Sequence, residues 1–339
     1  MAMAFFSRLN FQEGLQTFSV MHWIPTYVVL GLTSTILITY GLVCTKFWIL
    51  SVLVLAWHAY DWNTYQEGGR RSAWVRNWTL WKYFQKYFPV KLVKTHDLSP
   101  KHNYLIANHP HGIFSFGAFI NFATEATGFD RIFPNITPYL GTIRWFFWFP
   151  ILRDYMMSVG VCPVSETTLK YLLSQKHTSN AVVVVVGGGA EALLCHPGAS
   201  TVFLKHRKGF VKLALQTGAH LVPTYSFGEN ETYNQETFPE GTWKRFFQKK
   251  FQEIFKKHLR LYLCTFHGRG LTRESWGFLP FNHPITTVVG EPLPIPMIQN
   301  PDKETVDKYH TLYINALCKL FDEYKIQYGL PQTQKLTII

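Results

Sequence analysis

Two histidines separated by one residue stand where a buried strand is predicted to end. His109 and His111 belong to an Asn-His-Pro-His-Gly block that follows a short apolar segment over residues 103–107. An imidazole at the carboxyl edge of a strand in an α/β sheet can act as a general base near neutral pH. The same pair could instead supply two metal ligands or form a structural turn. No third ligand at a recognised spacing, such as His-Glu-x-x-His, accompanies them.

A run of three glycines follows the most apolar strand that the sequence predicts. Gly187, Gly188 and Gly189 come directly after residues 181–186, Ala-Val-Val-Val-Val-Val, which is typical of a strand buried on both faces. The run matches the dinucleotide pattern G-x-G-x-x-A, which needs an acidic residue about 20 positions later. After Glu191 the next acidic residue is 38 positions further on, so this fingerprint fails. Backbone N–H groups of such a loop can instead bind an anion or an oxyanion, and Gly112 offers a similar turn.

Glu191 is the carboxylate of the glycine segment, and two interpretations of it stay open. It can orient a histidine from the neighbouring strand end or bind an acceptor hydroxyl. It can also be only a carboxylate at a helix N-terminus, where the helix dipole favours negative charge.

Basic and polar residues mark the ends of later elements. Arg207 and Lys208 open a helix predicted over residues 210–217 and suit phosphate groups, although a solvated basic face is the commoner explanation of such a stretch. Glu229 and Asn230 follow a strand predicted over residues 221–227. With Asn108 before the first histidine, they are candidates for contact with an acceptor.

The elements that must position these residues alternate between strand and helix. Strands are predicted over 103–107, 181–186, 201–204 and 221–227, and a terminal amphipathic helix carries apolar residues from Val306 to Tyr324 at spacings of three and four. This alternation predicts an α/β fold, a mostly parallel or mixed sheet sandwiched by helices.

The chain begins with an apolar region. Residues 24–43 are 20 uncharged, mostly apolar residues, enough to cross about 30 Å of hydrocarbon. The next run, residues 47–60, would span only about 21 Å as a helix, so we predict a hairpin or a re-entrant anchor. Basic residues before it (Arg8) and after it (Arg70, Arg71) place both ends in the cytosol by the positive-inside tendency.

Composition limits the partners of the chain. In 339 residues, 33 Lys and Arg exceed 21 Asp and Glu by 12, which suits phospholipid surfaces and phosphate-bearing substrates. No RNA-binding motif appears, so no nucleic-acid partner is predicted. The five scattered cysteines indicate neither a disulfide framework nor a zinc site. We predict a membrane anchor over residues 1–62, a basic, Trp-rich segment over 63–97, and a catalytic domain over 98–339. The Trp-rich segment either lies in the headgroup layer or packs on the domain.

These motifs, in this order behind an apolar hairpin, resemble the type 2 diacylglycerol acyltransferase family of membrane-bound enzymes, which includes monoacylglycerol and wax-alcohol acyltransferases. The resemblance covers essentially the whole chain. The matching blocks are Tyr87-Phe88-Pro89, His109-Pro110-His111-Gly112, Arg153-Asp154-Tyr155-Met156, Gly187-Gly188-Gly189-Ala190-Glu191-Ala192-Leu193, Arg207-Lys208-Gly209-Phe210-Val211, Phe227-Gly228-Glu229-Asn230, Phe278-Leu279-Pro280 and Thr286-Thr287-Val288-Val289-Gly290.

The resemblance implies transfer of a fatty acyl group from acyl-CoA, as co-substrate, to a lipid hydroxyl at the endoplasmic reticulum, without a metal or other cofactor. The partners are then acyl-CoA, a neutral lipid and membrane phospholipids, with a homo-oligomer left open. Diacylglycerol is the expected acceptor, and a long-chain alcohol or monoacylglycerol is the alternative. A non-catalytic lipid-binding membrane protein is a second alternative.

The family is distantly similar to glycerolipid acyltransferases built around His-x-x-x-x-Asp. Here Ile113 and Ser115 occupy the fourth positions after His109 and His111. The orienting carboxylate must therefore come from elsewhere, and Glu191 is the candidate. We favour His109 as the base, with the choice between the two histidines open.

Overall fold

A computed structural model of the protein describes residues 11–175, 179–259, 262–270 and 275–339. Arg8, one of the basic residues that flank the apolar region, lies outside the described residues. The α-helices are α1 (Phe11–Cys44), α2 (Trp48–Tyr60), α3 (Ala73–Arg76), α4 (Thr79–Tyr87), α5 (Phe116–Ala118), α6 (Phe129–Ile132), α7 (Leu152–Ser158), α8 (Glu166–Ser174), α9 (Gly188–Ala192), α10 (Gly209–Thr217), α11 (Trp243–Leu259) and α12 (Lys303–Tyr324). The strands are β1 (Lys91–Lys94), β2 (Tyr104–His109), β3 (Thr137–Thr142), β4 (Val161–Pro163), β5 (Asn180–Val185), β6 (Thr201–Val202), β7 (His220–Phe227), β8 (Asn234–Gln235), β9 (Phe266–Arg269), β10 (Trp276–Gly277), β11 (Thr286–Val289) and β12 (Thr337–Ile338).

A seven-stranded sheet forms the centre of the fold, in the order β1-β11-β7-β2-β5-β3-β4. Neighbouring strands run parallel except at the β11–β7 pair, which is antiparallel. Strand β2 is buried along its whole length between β5 and β7, and apolar clusters cover both faces of the sheet. The predicted α/β architecture with a mostly parallel or mixed sheet is therefore confirmed.

One predicted strand does not join this sheet. The segment predicted over 201–204 forms the two-residue strand β6, which pairs in parallel with β12 near the end of the chain. The N–H groups of Leu204 and Lys205 both donate to the carbonyl of Ile339, so the terminal residues take the place of a sheet neighbour. Local β-branched composition predicted an extended segment here but carried no information on its partner.

Helix α4, in the Trp-rich segment of residues 63–97, packs against α1 and against the residues that follow the histidine block. Trp81, Phe84 and Tyr87 of α4 are buried, whereas Trp74 remains 73% exposed. Strand β1 then forms the edge of the central sheet, paired with β11. Of the two interpretations of this segment, packing on the domain describes α4.

Helices α1 and α2 form the predicted hairpin. With 34 residues, α1 is about 51 Å long and is the helix of the described ranges that is long and apolar enough to cross a bilayer. Helix α2 has only 13 residues. The two helices approach closely where Gly41 faces Ser51, because a Cβ added to Gly41 would lie 2.5 Å from the Ser51 hydroxyl oxygen.

The N-terminal half of α1 packs directly on the α/β fold. Trp23 is buried, and its ring lies 5.6, 5.4 and 4.8 Å from the rings of Phe84, Phe116 and Phe119. Phe116 follows the histidine block by only a few residues. The apolar helix therefore touches the segment that carries the candidate site.

A buried arginine fastens α2 to the domain. Arg153 donates from its guanidinium to the carbonyls of His58 (3.1 Å) and Asp61 (2.8 Å) at the end of α2, and pairs with the Asp61 carboxylate. Arg70 bridges Asp61 (2.6 Å) and Asp154 (2.5 Å). The Arg-Asp-Tyr-Met block thus serves to dock the hairpin.

We expect Arg153→Ala to lower the thermal unfolding midpoint in detergent micelles by several degrees, because breaking a buried ion pair costs about 3–5 kcal/mol. The matched control is Arg131→Ala at an exposed position of α6, where a surface substitution costs about 0.5 kcal/mol or less. Equal midpoints for the two variants would show that Arg153 does not secure the hairpin.

Candidate active site

The carboxyl ends of three parallel strands bring the predicted site residues together. His109, the last residue of β2, pairs in register with Tyr225 of β7, and Asn108 pairs with Val185 of β5. The glycine segment follows β5 directly. In parallel sheets this edge is where loops from neighbouring strands converge on a ligand.

The carboxylate of Glu191 joins the loops at this edge. Its Oε1 accepts the backbone N–H of His111 at 2.6 Å, and its Oε2 accepts that of Phe203 at 2.7 Å. Oε2 also lies 3.7 Å from Nδ1 of His109, a separation that allows electrostatic attraction but exceeds a hydrogen bond. Glu191 is therefore anchored by two N–H donors while it faces the histidine.

Glycine at position 187 makes room for this carboxylate. A Cβ added to Gly187 would lie 2.1 Å from Oε2 of Glu191, which folds back over the turn. Gly188 adopts φ +58°, a conformation that favours glycine, although open space surrounds its Cβ position. A Cβ on Gly189 would lie 2.7 Å from the Tyr262 ring. The glycines thus meet different requirements, and Gly187 is required because the Glu191 carboxylate occupies the space beside it.

His109 is enclosed completely. Its side chain has no exposed surface, and its ring lies 6.3 Å from that of Tyr313 on α12. Within the described ranges neither ring nitrogen has a hydrogen-bond partner. With Glu191 facing Nδ1, Nε2 is the atom placed to accept a proton.

His111 has a different environment. Its Nδ1 donates to the carbonyl of Gly112 at 2.9 Å, which assigns the lone pair of the neutral ring to Nε2. Burial lowers the pKa of His111, so the neutral form dominates near pH 7.

The described residues contain no cluster of three or more His, Cys, Asp or Glu groups suited to a metal ion.

The charge on Glu191 is set by opposing effects. Burial raises the pKa of Glu191, but His109 and the N–H groups of Phe203 and His111 act against it and hold that pKa below its usual range. The carboxylate is therefore ionised at neutral pH.

Glu229, predicted as an acceptor contact, also supports the loop that follows the histidine block. Its carboxylate accepts the N–H groups of Phe116 (2.7 Å) and Gly117 (2.9 Å) and is buried. Gly112, at φ +61°, lies so close that an added Cβ would be 2.7 Å from Cγ of Glu229. These contacts fix the backbone that follows His111.

The two asparagines lie apart from the His109–Glu191 pair. Oδ1 of Asn108 accepts the hydroxyl of Ser226 at 3.2 Å, on the face of the sheet opposite to His109, since successive strand residues alternate. Nδ2 of Asn230 donates to the carbonyl of Ala199 at 2.9 Å. Both side chains are buried and hold backbone or side-chain partners.

The two basic residues differ in their distance from the site. Arg207 donates to the carbonyl of Gly187 at 3.4 Å and stacks over the ring of Phe203, 5.2 Å from its centroid. Lys208 forms a salt bridge of 2.6 Å with Asp307 of α12. Only Arg207 borders the glycine turn directly.

Sequence reasoning missed two contributors. The Phe203 N–H that anchors Glu191 is a backbone group, which no residue pattern could identify. Tyr313, whose hydroxyl donates to the carbonyl of Ala107 at 3.0 Å, was recognisable only as one apolar position of the terminal helix.

The titration of Glu229 gives a test of its support role. Burial raises the pKa of Glu229 to about 7, and the two N–H donors offset this only in part. The native state therefore keeps a proton that the unfolded state, with a pKa near 4.3, has lost, so this group lowers stability as pH rises from about 4.5 to 7. The loss of stability reaches roughly 4 kcal/mol well above pH 7.

We expect the unfolding midpoint of the native chain, relative to that of Glu229→Gln, to fall between pH 5 and pH 8 in detergent micelles. The control Glu253→Gln changes an exposed carboxylate and should follow the native chain. Parallel curves for the native chain and Glu229→Gln would contradict the raised pKa.

Comparison with known proteins adds the family. Diacylglycerol O-acyltransferase 2-like protein 6 of Bos taurus is 74% identical over 337 residues, covering 99% of this chain and 100% of the relative. Diacylglycerol O-acyltransferase 2 of Homo sapiens is 50% identical over 333 residues, covering 98% of this chain and 84% of the relative. The crystal structure of the 1-acyl-sn-glycerophosphate (LPA) acyltransferase from Thermotoga maritima has a TM-score of 0.39 and 9% identity, covering 90% of this chain and 94% of that one.

The family model of diacylglycerol acyltransferase matches residues 40–339, which include every element of the central sheet. This match and the nearly full-length relatives agree with the resemblance carried by the sequence motifs. The chain is an acyltransferase and belongs to the diacylglycerol acyltransferase family.

Proposed function

We propose that the chain transfers a fatty acyl group from acyl-CoA to the hydroxyl of diacylglycerol and forms triacylglycerol at the endoplasmic reticulum membrane. The observation that carries the catalytic assignment is the Glu191 carboxylate held 3.7 Å from Nδ1 of buried His109. The acceptor follows from the name of the relatives that are 50% identical, diacylglycerol O-acyltransferase 2. A long-chain alcohol or monoacylglycerol would use the same chemistry.

In this mechanism His109 is the general base. Its Nε2 takes the proton of the acceptor hydroxyl while the hydroxyl oxygen attacks the thioester carbonyl. Glu191 stabilises the imidazolium that forms. The tetrahedral intermediate then expels the CoA thiolate, which takes the proton back from His109, so the enzyme is restored. Because His109 has no exposed surface, substrate entry requires local movement of the surrounding loops.

The glycine turn and Gly112 are the source of N–H groups for the oxyanion. One well-placed donor of this kind is worth about 3 kcal/mol in the transition state. Arg207 borders Gly187 and would hold a phosphate of CoA beside the turn. Lys208 would contribute by exchanging Asp307 for a second phosphate oxygen.

The membrane supplies the neutral lipid in this proposal. Helix α1 has the length and composition of a membrane span, and Trp23 in its N-terminal half packs against Phe116 beside the histidine loop. A lipid hydroxyl near the bilayer surface is therefore close to the loop that carries the base. Both ends of the hairpin and the catalytic domain would face the cytosol.

The direct test uses membranes from cells that express the protein, with labelled oleoyl-CoA and either diacylglycerol, monoacylglycerol or hexadecanol. We expect triacylglycerol from the native chain. His109→Ala should lower its formation by roughly 10²-fold or more, the usual scale for a lost general base. His111→Ala keeps the backbone N–H that anchors Glu191, so it should lower triacylglycerol formation less than His109→Ala does.

Full activity of a correctly inserted His109→Ala protein would exclude His109 as the base. Wax ester or diacylglycerol as the main product would contradict the proposed acceptor. No product with any of the three acceptors, at matched expression, would contradict acyl-CoA-dependent transfer to these lipids.

The space beside Gly187 provides a second prediction. Gly187→Ala forces the Glu191 carboxylate away from His109, because the new Cβ would overlap it. We expect acyl transfer to fall by roughly tenfold or more, on the scale of a misplaced catalytic group. The control Gly209→Ala adds the same methyl group where nothing lies within 4 Å. Equal rates for the two variants would show that the position of Glu191 does not matter.

A further inference from the structure

Helix α11 (Trp243–Leu259) has an aromatic face that nothing in the described structure covers. Its side chains Trp243, Phe246, Phe247, Phe251 and Ile254 recur at spacings of one, three and four residues, which places them along one side of the helix. Each is between 49% and 69% exposed. A contiguous exposed apolar surface of this kind marks an interaction site.

Helix α11 is oriented with its polar side toward the domain, opposite to the orientation of an ordinary surface helix. Its polar side faces the domain, where Nε2 of Gln248 donates to the carbonyl of Glu236 (3.1 Å) and to the hydroxyl of Thr265 (2.9 Å). Nε2 of Gln252 donates to the carbonyl of Leu263 at 2.8 Å. Amphipathic helices normally bury their apolar stripe and expose the polar one. These hydrogen bonds therefore hold the aromatic face outward.

The apolar surface continues beyond the helix. Phe247 and Phe251 line an open groove of about 490 Å³, together with Leu263 and Phe266 on the adjoining segment. Phe278, at the rim of this groove, is 66% exposed. The exposed apolar surface therefore extends beyond α11 itself, as contact with the apolar layer of a membrane requires.

Positive charge surrounds this surface. Helix α11 carries six Lys or Arg residues and one acidic residue, Glu253. The Lys244 and Lys250 ammonium groups lie 5.9 and 5.2 Å from the ring centroids of Trp243 and Phe246. Lysines beside exposed aromatic rings can keep their charge at the headgroup level while the rings enter the apolar layer.

We propose that α11 lies in the headgroup layer of the membrane and binds anionic phospholipid, as a second membrane contact beside the α1–α2 hairpin. The excess of positive charge selects an anionic surface, and the aromatic face with its groove selects an apolar layer beneath it. This inference rests on the surface of α11 and is independent of the proposed acyl-transfer chemistry.

The test measures backbone hydrogen exchange of the α11 peptides in the full chain. The protein is reconstituted in nanodiscs of phosphatidylcholine alone or of phosphatidylcholine with phosphatidylserine. We expect exchange in α11 to slow by roughly tenfold or more when phosphatidylserine is present, as expected for several lysines near an anionic surface. Lys250→Glu/Lys257→Glu should abolish this difference, and the control Lys303→Glu/Lys308→Glu on α12 should keep it.

Exchange in the β2 peptides verifies folding, because this strand is buried in both variants and should exchange at the native rate. Equal exchange of α11 in the two kinds of nanodisc would overturn the proposal. So would protection that depends on protein concentration in detergent and not on phosphatidylserine, since a second copy of the chain would then cover the aromatic face.

Discussion

The carboxylate of Glu191 is the interaction on which the arrangement of the site depends. It accepts N–H groups from His111 and Phe203, which belong to separate loops, and it faces His109 across 3.7 Å. A buried carboxylate needs such partners, since without them it destabilises the fold by about 3–5 kcal/mol or takes up a proton. Position 187 requires glycine because any side chain there would overlap the Glu191 carboxylate.

The sheet was predictable because the apolar, β-branched composition of its central strands is typical of buried strands. The valine-rich strand β5 and the strand that ends at His109 lie where local apolar patterning placed them, with each end within one or two residues of its predicted position. Since parallel strands end at one edge, the histidines, the glycine segment and Glu191 could be expected to meet there. Their contact within hydrogen-bonding and ion-pair distance follows from the register of β2 with β5 and β7.

Other features depended on long-range packing that no local pattern encodes. Glu229 ends a strand like a catalytic residue, yet it supports the backbone at Phe116, because only the three-dimensional fold brings those segments together. The aromatic and basic residues of the 63–97 segment predicted a helix in the headgroup layer or one packed on the domain, and the burial of Trp81 against Phe119 could not be foreseen from their composition. The outward aromatic face occurs on α11 instead, where inward-facing glutamines reverse the usual orientation.

A double-mutant cycle between His109 and Glu191 tests the central claim most directly. The rates of acyl transfer are measured in membranes for the native chain, His109→Ala, Glu191→Gln and the double variant, at matched expression. If the main role of Glu191 is exerted through His109, its substitution matters most while the imidazole is present, and the effects are not additive. The account predicts that the rate loss in the double variant is much smaller than the product of the two single losses. Rate losses that multiply in the double variant would contradict it, because Glu191 and His109 would then contribute independently.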